Sequence, residues 1–318
     1  MHILITGANG FIGRHLVKKL IDEADSRGVR RITVLDLSLE LVKDHPLIKK
    51  IPGSFADPKI LASALEKYPA DCVFHLASVP SGLAQSNYSL GVNVNIQGTM
   101  ALLEKLKDQG NVPTLIFASS IAVYGKPVTL EVNDDTLPTP NLSYGSQKVI
   151  GETLVADFIR RGWIKGCSLR LPGIVARPSE PNGAVSIFFS DLIRCLSSGQ
   201  AFICPVSSVA KSWLMSVTCV VENLMNAETI SNADSNGKCH TWTLPAMHVS
   251  IEALVNQIDE QFPEHNVQSL ITYAPDAWVE DNFGSYPPLI LPKAEAAGFH
   301  HDNTLTALVT NALDGLDR

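Results

Sequence analysis

The first thirteen residues constrain the fold more than any other stretch of the chain. His2–Thr6 is a short apolar run that leads into Gly7-Ala8-Asn9-Gly10-Phe11-Ile12-Gly13. Beyond it Ile12, Leu16 and Leu20 recur at helical spacing, with Val17 and Ile21 beside them. Strand, glycine turn and helix in that order form a phosphate-binding context. Gly7 permits the tight turn, Gly10 lets the backbone approach a pyrophosphate, and Gly13 lets the helix pack closely. The helix N-terminus then offers amide donors to the anion. Such glycines also serve purely structural turns, so the next strand matters. Arg31–Leu35 runs into Asp36, at the distance expected of an acid that accepts from an adenosine ribose. A carboxylate there repels a 2′-phosphate, and no arginine follows it directly. Together these features point to a nicotinamide dinucleotide, NAD rather than NADP.

The alternation of strands and helices continues. A third strand is expected at Lys50–Ser54, and Asp57 after it is read two ways: as an acceptor for the adenine amino group, or as the cap of a helix at Pro58–Tyr68. Cys72–Leu76 is the fourth strand, with Ala77-Ser78 at its cofactor end. A helix with Ile96, Thr99, Leu103 and Leu106 on one face precedes a fifth strand, Thr114–Ala118. A sixth is expected at Gly166–Pro172. Strands alternating with helices imply a parallel, doubly wound sheet whose ligands bind outside the strand C-termini.

Tyr144-Gly-Ser-Gln-Lys148 carries the chemistry. On a helix, Tyr144 and Lys148 stand one turn apart on the same face. A free phenol, with a pKa of about 10, is a poor proton acceptor at neutral pH. An ammonium group beside a phenol favours the phenolate, so such a pair can exchange a proton with a hydroxyl or carbonyl. The same spacing is common on solvated helix faces, and by itself it stays open between these readings.

Taken together, Thr6-Gly-x-x-Gly-x-x-Gly13, Asp36, Asn95-Ile-Gln-Gly-Thr99, Ser120 and Tyr144-x-x-x-Lys148 resemble the extended short-chain dehydrogenase/reductases. That superfamily contains nucleotide-sugar epimerases and dehydratases, and the resemblance covers roughly residues 1–175. It implies a Rossmann-type doubly wound parallel sheet with a smaller, discontinuous C-terminal substrate lobe. It makes Tyr144 the general acid/base, Lys148 the group that binds nicotinamide ribose and supports the tyrosine, and Ser120 the hydroxyl on the reacting oxygen. The implied cofactor set is Gly7, Asn9, Gly10, Phe11, Ile12, Gly13, Asp36, Asp57, Leu76, Ala77, Asn95 and Pro172, with Tyr144 and Lys148. Asn95 is read as structural or as part of a proton relay, and Ser119 as a strand-end cap or an alternative hydroxyl.

Two departures separate the chain from the nucleotide-sugar enzymes. Gly173 stands where their Arg-x-x-Asn-x-Tyr-Gly-Pro pattern has asparagine, and Ile121-Ala122 replaces the acidic pair of dehydratases. The segment Arg170-Leu-Pro-Gly, then Arg177-Pro-Ser-Glu-Pro-Asn182, then Phe188-Phe189-Ser190, is similar instead to the D-erythronate dehydrogenases. Those enzymes oxidise the 2-hydroxyl of a four-carbon sugar acid with NAD. The chain carries Gly173 for their threonine, Ser179 for a glycine, and Lys211-Ser-Trp213 for Arg-x-Trp. A lysine keeps the charge but loses bidentate geometry toward a carboxylate. The implied substrate contacts are Ser120, Tyr144, Arg177, Asn182 and Lys211, with Ser186 beside them. For Arg177 a structural ion pair is an equal alternative.

Composition narrows the remaining classes. Lys plus Arg is 25 against 32 Asp plus Glu, a net −7 that offers no electrostatic case for nucleic acid or an anionic membrane. No apolar run approaches the ~20 residues of a membrane helix. The N-terminus lacks a basic start and a small-residue cleavage site. Six scattered cysteines without Cys-x-x-Cys fit reduced thiols in a cytoplasmic enzyme, and no histidine spacing suggests a metal. The expected product is a homodimeric NAD dehydrogenase of a small sugar acid, the alternative a nucleotide-sugar epimerase. A regulator that only senses NAD is disfavoured by the intact Ser120, Tyr144 and Lys148. Residues 1–172 with a returning segment near 209–245 are expected to form the dinucleotide domain. A turn is expected at Asp234–Lys238, and the substrate lobe then takes 173–208 and 246–318, including a helix with Ile251, Leu254, Val255 and Ile258 facing its core.

Overall fold

The computed structural model describes residues 1–65, 67–126, 130–178, 185–233 and 240–316. A seven-stranded sheet organises the first part of the chain. Its strands are β1 (His2–Thr6), β2 (Arg31–Asp36), β3 (Ile48–Pro52), β4 (Cys72–His75), β5 (Thr114–Ser120), β6 (Lys165–Leu171) and β7 (His240–Thr243). The spatial order is β7-β6-β5-β4-β1-β2-β3, and β1 pairs in parallel with both β2 and β4. The order therefore reverses between β1 and β4, the crevice where such sheets bind ligands. β1 is buried along its whole length, which is why it reads as a continuous apolar run rather than an alternation.

Several elements differ from the sequence expectation. β3 begins at Ile48, two residues earlier than its apolar pattern suggests. It is an edge strand with one buried residue, so its pairing with β2, Ile32↔Ile48 through Asp36↔Pro52, decides its limits. Pro52 is tolerated at this edge because it need not donate to a further neighbour. β5 extends to Ser120 and β6 spans Lys165–Leu171, so Pro172 lies just outside the strand.

One more difference shapes the site. Helical spacing places Ile96 on the inward face with Thr99, but Val92–Gly98 is a π-helix that leads into helix α2 (Thr99–Asp108). The wider turn rotates the chain so that Asn95 is buried, 4% exposed, while Ile96 is half-buried. Single π-helical turns inside α-helices recur at functional sites.

The chain divides into two compact units, Met1–Val123 with Leu142–Arg170 and Leu224–Trp242, and Tyr124–Asn141 with Leu171–Asn223 and Thr243–Arg318. The expected returning segment near 209–245 is thus split at Leu224. Lys211–Ser216 belongs to the second unit because it pairs with Gly173–Val175 and Met247–Ser250 in a separate three-stranded sheet. Tyr124–Asn141, expected in the dinucleotide domain, also belongs to the second unit.

Each unit has its own core. In the first, Leu102, Leu103 and Leu106 meet Leu4, Phe117, Val155 and Ile159. In the second, Phe188, Phe189 and Leu192 pack with Leu254, Ile258, Leu308 and Val309. The helix Ile251–Gln261 is capped by Ser250 and buries Ile251, Leu254, Val255 and Ile258, the four residues singled out by their spacing. The turn expected at Asp234–Lys238 lies outside the described residues.

Candidate active site

The glycine loop closes at the switch point of the sheet. Gly7 has φ +74°, and a Cβ there would sit 2.7 Å from Ala77 N and 2.9 Å from Leu76 C. Left-handed backbone and close approach both require glycine. Gly13 packs on the loop rather than on the strand itself, since its Cβ would meet Gly7 O at 2.2 Å. Helix α1 (Phe11–Asp22) then starts at Gly10 with no side-chain cap and no acid in its first turn. The amides around Phe11, Ile12 and Gly13 are left for an anion. Asn9 stitches this loop to β2, its amide donating to Asp36 Oδ2 at 2.9 Å and its Oδ1 accepting from Leu41 N. Burial pushes the half-buried Asp36 carboxyl up, while amides of Asn9, Leu37 and Gly10 oppose the shift.

Helix α3 (Ser143–Arg160) carries the next group. Gly151 lets it lie close to β5, since a Cβ there would meet the Phe117 ring at 2.5 Å. Lys148, 3% exposed, donates from Nζ to Ala118 O at 2.7 Å. The same Nζ is 5.0 Å from the Phe117 ring centre and 5.4 Å from that of Tyr144. Tyr144 is half-buried. Ser120 ends β5, and its Oγ accepts from Ala122 N at 3.1 Å, which keeps the hydroxyl hydrogen for another acceptor. Ser119 is committed elsewhere, donating to Glu152 Oε1 at 2.5 Å. Glu152 also receives Arg170 Nε at 3.0 Å and its terminal nitrogen at 2.9 Å, and all three residues are buried.

Asn95 uses every polar atom of its side chain. Its Oδ1 accepts from Val79 N at 2.7 Å, and its Nδ2 donates to Val79 O at 3.1 Å and to Gln147 Oε1 at 2.7 Å. It braces the segment after β4 against the residue preceding Lys148. Asp57 is exposed and accepts from Lys59 N at 2.8 Å, the capping geometry of the helix Pro58–Leu65. Leu76 and Ala77 are half-buried beside the glycine loop. Sequence reasoning assigned no role to Glu152, Gln147 or His75. The available signal was Glu152 standing four residues after Lys148 on the same helical stripe.

In the second unit Pro172 is buried. Arg177 donates Nε to Ile174 O at 3.2 Å, the carbonyl three residues before it. Lys211 is exposed at the start of its strand, held through its backbone to Gly284 and Tyr286. Its ammonium has no ion-pair partner among the described residues. Ser186 is half-buried. Asn182 and Ser179 lie outside the described residues.

Residues 3–213 match the NAD dependent epimerase/dehydratase family. The chain belongs to that family. It is similar to D-erythronate dehydrogenase of Cupriavidus necator, 34% identical with 97% of each chain covered. It is also 28% identical to D-erythronate dehydrogenase of Haemophilus influenzae, with 99% of each covered. Among solved structures it resembles a nucleoside-diphosphate-sugar epimerase from Agrobacterium tumefaciens, at TM-score 0.88 and 28% identity over 99% of this chain and 95% of that one.

This family member is an NAD-dependent dehydrogenase of the extended short-chain dehydrogenase/reductase type. The uncapped, acid-free start of α1 fits the pyrophosphate of NAD, and the amide-bound Asp36 fits its adenosine ribose. No helix among the described residues is long and apolar enough to cross a membrane.

Proposed function

We propose that this enzyme oxidises the hydroxyl next to the carboxylate of a short sugar acid, D-erythronate or a close analogue, to the 2-oxo acid. The observation that carries this reading is the end-to-end similarity to two D-erythronate dehydrogenases. At Gly173 a Cβ would lie 3.0 Å from Leu214 and 3.1 Å from Trp213 O, so the position has little room for the asparagine of nucleotide-sugar enzymes, and as little for the threonine of the D-erythronate dehydrogenases.

Bound NAD supplies the hydride acceptor. The side chains of the enzyme manage the proton and the oxygen. As the secondary alcohol becomes a carbonyl, its carbon gives up a hydride and Tyr144 takes the hydroxyl proton. Lys148 holds a positive charge near the tyrosine ring, where it compensates a phenolate. Ser120 donates its free hydrogen to the reacting oxygen. The carboxylate of the substrate needs a cationic partner on leaving water, and Lys211 is proposed for that role ahead of the backbone-bound Arg177.

The epimerase reading is supported by the likeness to the Agrobacterium structure. The two differ in cofactor balance: a dehydrogenase accumulates NADH, and an epimerase returns the hydride. The test is NADH absorbance with erythronate-like and threonate-like acids and with UDP-sugars. Tyr144→Phe is expected to lower acid turnover by roughly 10²-fold or more with little change in NAD affinity. Lys211→Met should reduce kcat/KM for acids far more than for an uncharged polyol. UDP-sugar turnover with no NADH from any acid would favour the epimerase, and a fully active Tyr144→Phe would refute the mechanism.

A further inference from the structure

His75 closes β4 and is 1% exposed, with the Phe55 ring edge-on at 4.8 Å and Phe117 tilted at 5.7 Å. Both ring nitrogens are engaged. Nδ1 is 2.7 Å from Thr6 Oγ1 and Nε2 is 3.0 Å from Thr99 Oγ1.

The neighbours settle which way each bond runs. Thr99 spends its single hydroxyl hydrogen on Asn95 O, 2.8 Å away, and a carbonyl can only accept. Thr99 Oγ1 can therefore only accept from the ring, so His75 carries its hydrogen on Nε2. At the other end Ala77 N donates to Thr6 Oγ1 at 3.3 Å, and an amide N–H can only donate. Thr6 then points its own hydrogen at His75 Nδ1. Donation runs in one direction, from the amide of Ala77 through Thr6, His75 and Thr99 to the carbonyl of Asn95. Every donor finds an acceptor with the imidazole neutral. A second ring proton would turn the Thr6 hydrogen away from Nδ1 and deprive it of the acceptor it has here. Burial, followed by the charge of Lys148, holds the imidazole pKa down to about 3.

The ends of this chain are the two walls already described. Gly7 packs on Leu76 and Ala77, and Leu76 N donates to Thr6 O at 3.1 Å. Asn95 grips Val79 and Gln147, and Gln147 precedes Lys148. We propose that His75 is a positioning residue for the dehydrogenase reaction: as the neutral Nε2–H tautomer it locks the floor of the glycine loop to the Asn95 frame that seats the Tyr144–Lys148 helix. This rests on the glycine loop and Tyr144–Lys148 serving NAD and proton transfer, and not on which acid is oxidised.

Two near-isosteric variants cut one link each and leave the imidazole in place. Thr6→Val frees the glycine-loop side, and NAD affinity measured by calorimetry should fall roughly tenfold, about the effect of one buried hydrogen bond. Thr99→Val frees the Asn95 side. It should hold NAD within about twofold of wild type while kcat falls roughly tenfold. A purely structural role would lower the melting temperature of both variants and leave their folded fractions with wild-type constants. The wild-type enzyme supplies an independent readout. Long-range ¹⁵N spectra of histidine-labelled, NAD-free protein should show one neutral Nε2–H ring that does not titrate between pH 8 and 5, assigned by its displacement in Thr99→Val. An Nδ1–H ring there, titration near pH 6.5, or unchanged NAD affinity in a folded Thr6→Val would overturn the proposal. If no sugar acid is oxidised, the NAD and tautomer measurements still decide it.

Discussion

Glu152→Gln is the most informative single change outside the reacting groups. Glu152 is 6% exposed and its partners Arg170 and Ser119 are 8% and 2% exposed. The carboxylate takes two guanidinium bonds of Arg170, at 2.9 and 3.0 Å, and the hydroxyl of Ser119. A glutamine keeps the shape, but its amide nitrogen turns a donor toward a guanidinium and takes the carboxylate out of the buried pair. Breaking a buried pair from one side costs about 3–5 kcal/mol, against a total stability of about 5–15 kcal/mol for a typical domain. Urea unfolding followed by tryptophan fluorescence should therefore show a markedly lower midpoint with an unchanged slope. Replacing both partners, Glu152→Met with Arg170→Leu, removes the half-broken pair and should recover at least about 2 kcal/mol relative to the sum of the single changes. Ser119 adjoins Ser120 and Glu152 stands one turn beyond Lys148, so kcat should fall in Glu152→Gln even where the protein is folded. A loss below about 1 kcal/mol, or strict additivity in the double variant, would refute the view that this pair is a dry, coupled support for the site.

Asp36→Ala should erode the preference for NAD over NADP, measured as the ratio of kcat/KM values. A wild type that uses both equally would remove Asp36 from the ribose site. A homodimer is expected through the surfaces of α2 and α3, where Met100 and Ile150 are 38% and 41% exposed. Light scattering that returns a monomer mass at micromolar protein would count against it. The sign of the His75 shift also predicts acid lability. Its folded value of about 3 lies below the model-peptide 6.5, so the native state favours the neutral ring. Its stabilising effect is complete above pH 6.5 and is lost as pH falls toward 3, by about 1.4 kcal/mol per unit. Urea midpoints at pH 7 and 5.5 should separate in the wild type and draw together in His75→Asn.

What the sequence determined by itself was whatever depends on short-range order. The turn at Gly7, the helix beginning after Gly10, Asp36 at the end of the second strand and the one-turn spacing of Tyr144 and Lys148 follow from residues within a few positions of one another. Local sterics and helical periodicity leave such segments few alternatives. The start of β3 and the turn of Asn95 toward the interior were not legible in that way. Pairing with β2 decided the first, and a π-helical turn decided the second by shifting the face that periodicity assigns to Ile96. The same holds for Ser119, which reads as either a cap or a hydroxyl until Glu152 and Arg170 are seen to enclose it. His75 is bound to Thr6 across 69 residues of sequence and to Thr99 across 24. Its tautomer depends on hydrogen-bond capacities that meet only when β1, β4 and α2 are packed together. Buried polar groups must find partners wherever the fold places them, and no local pattern in the chain records which partner that will be.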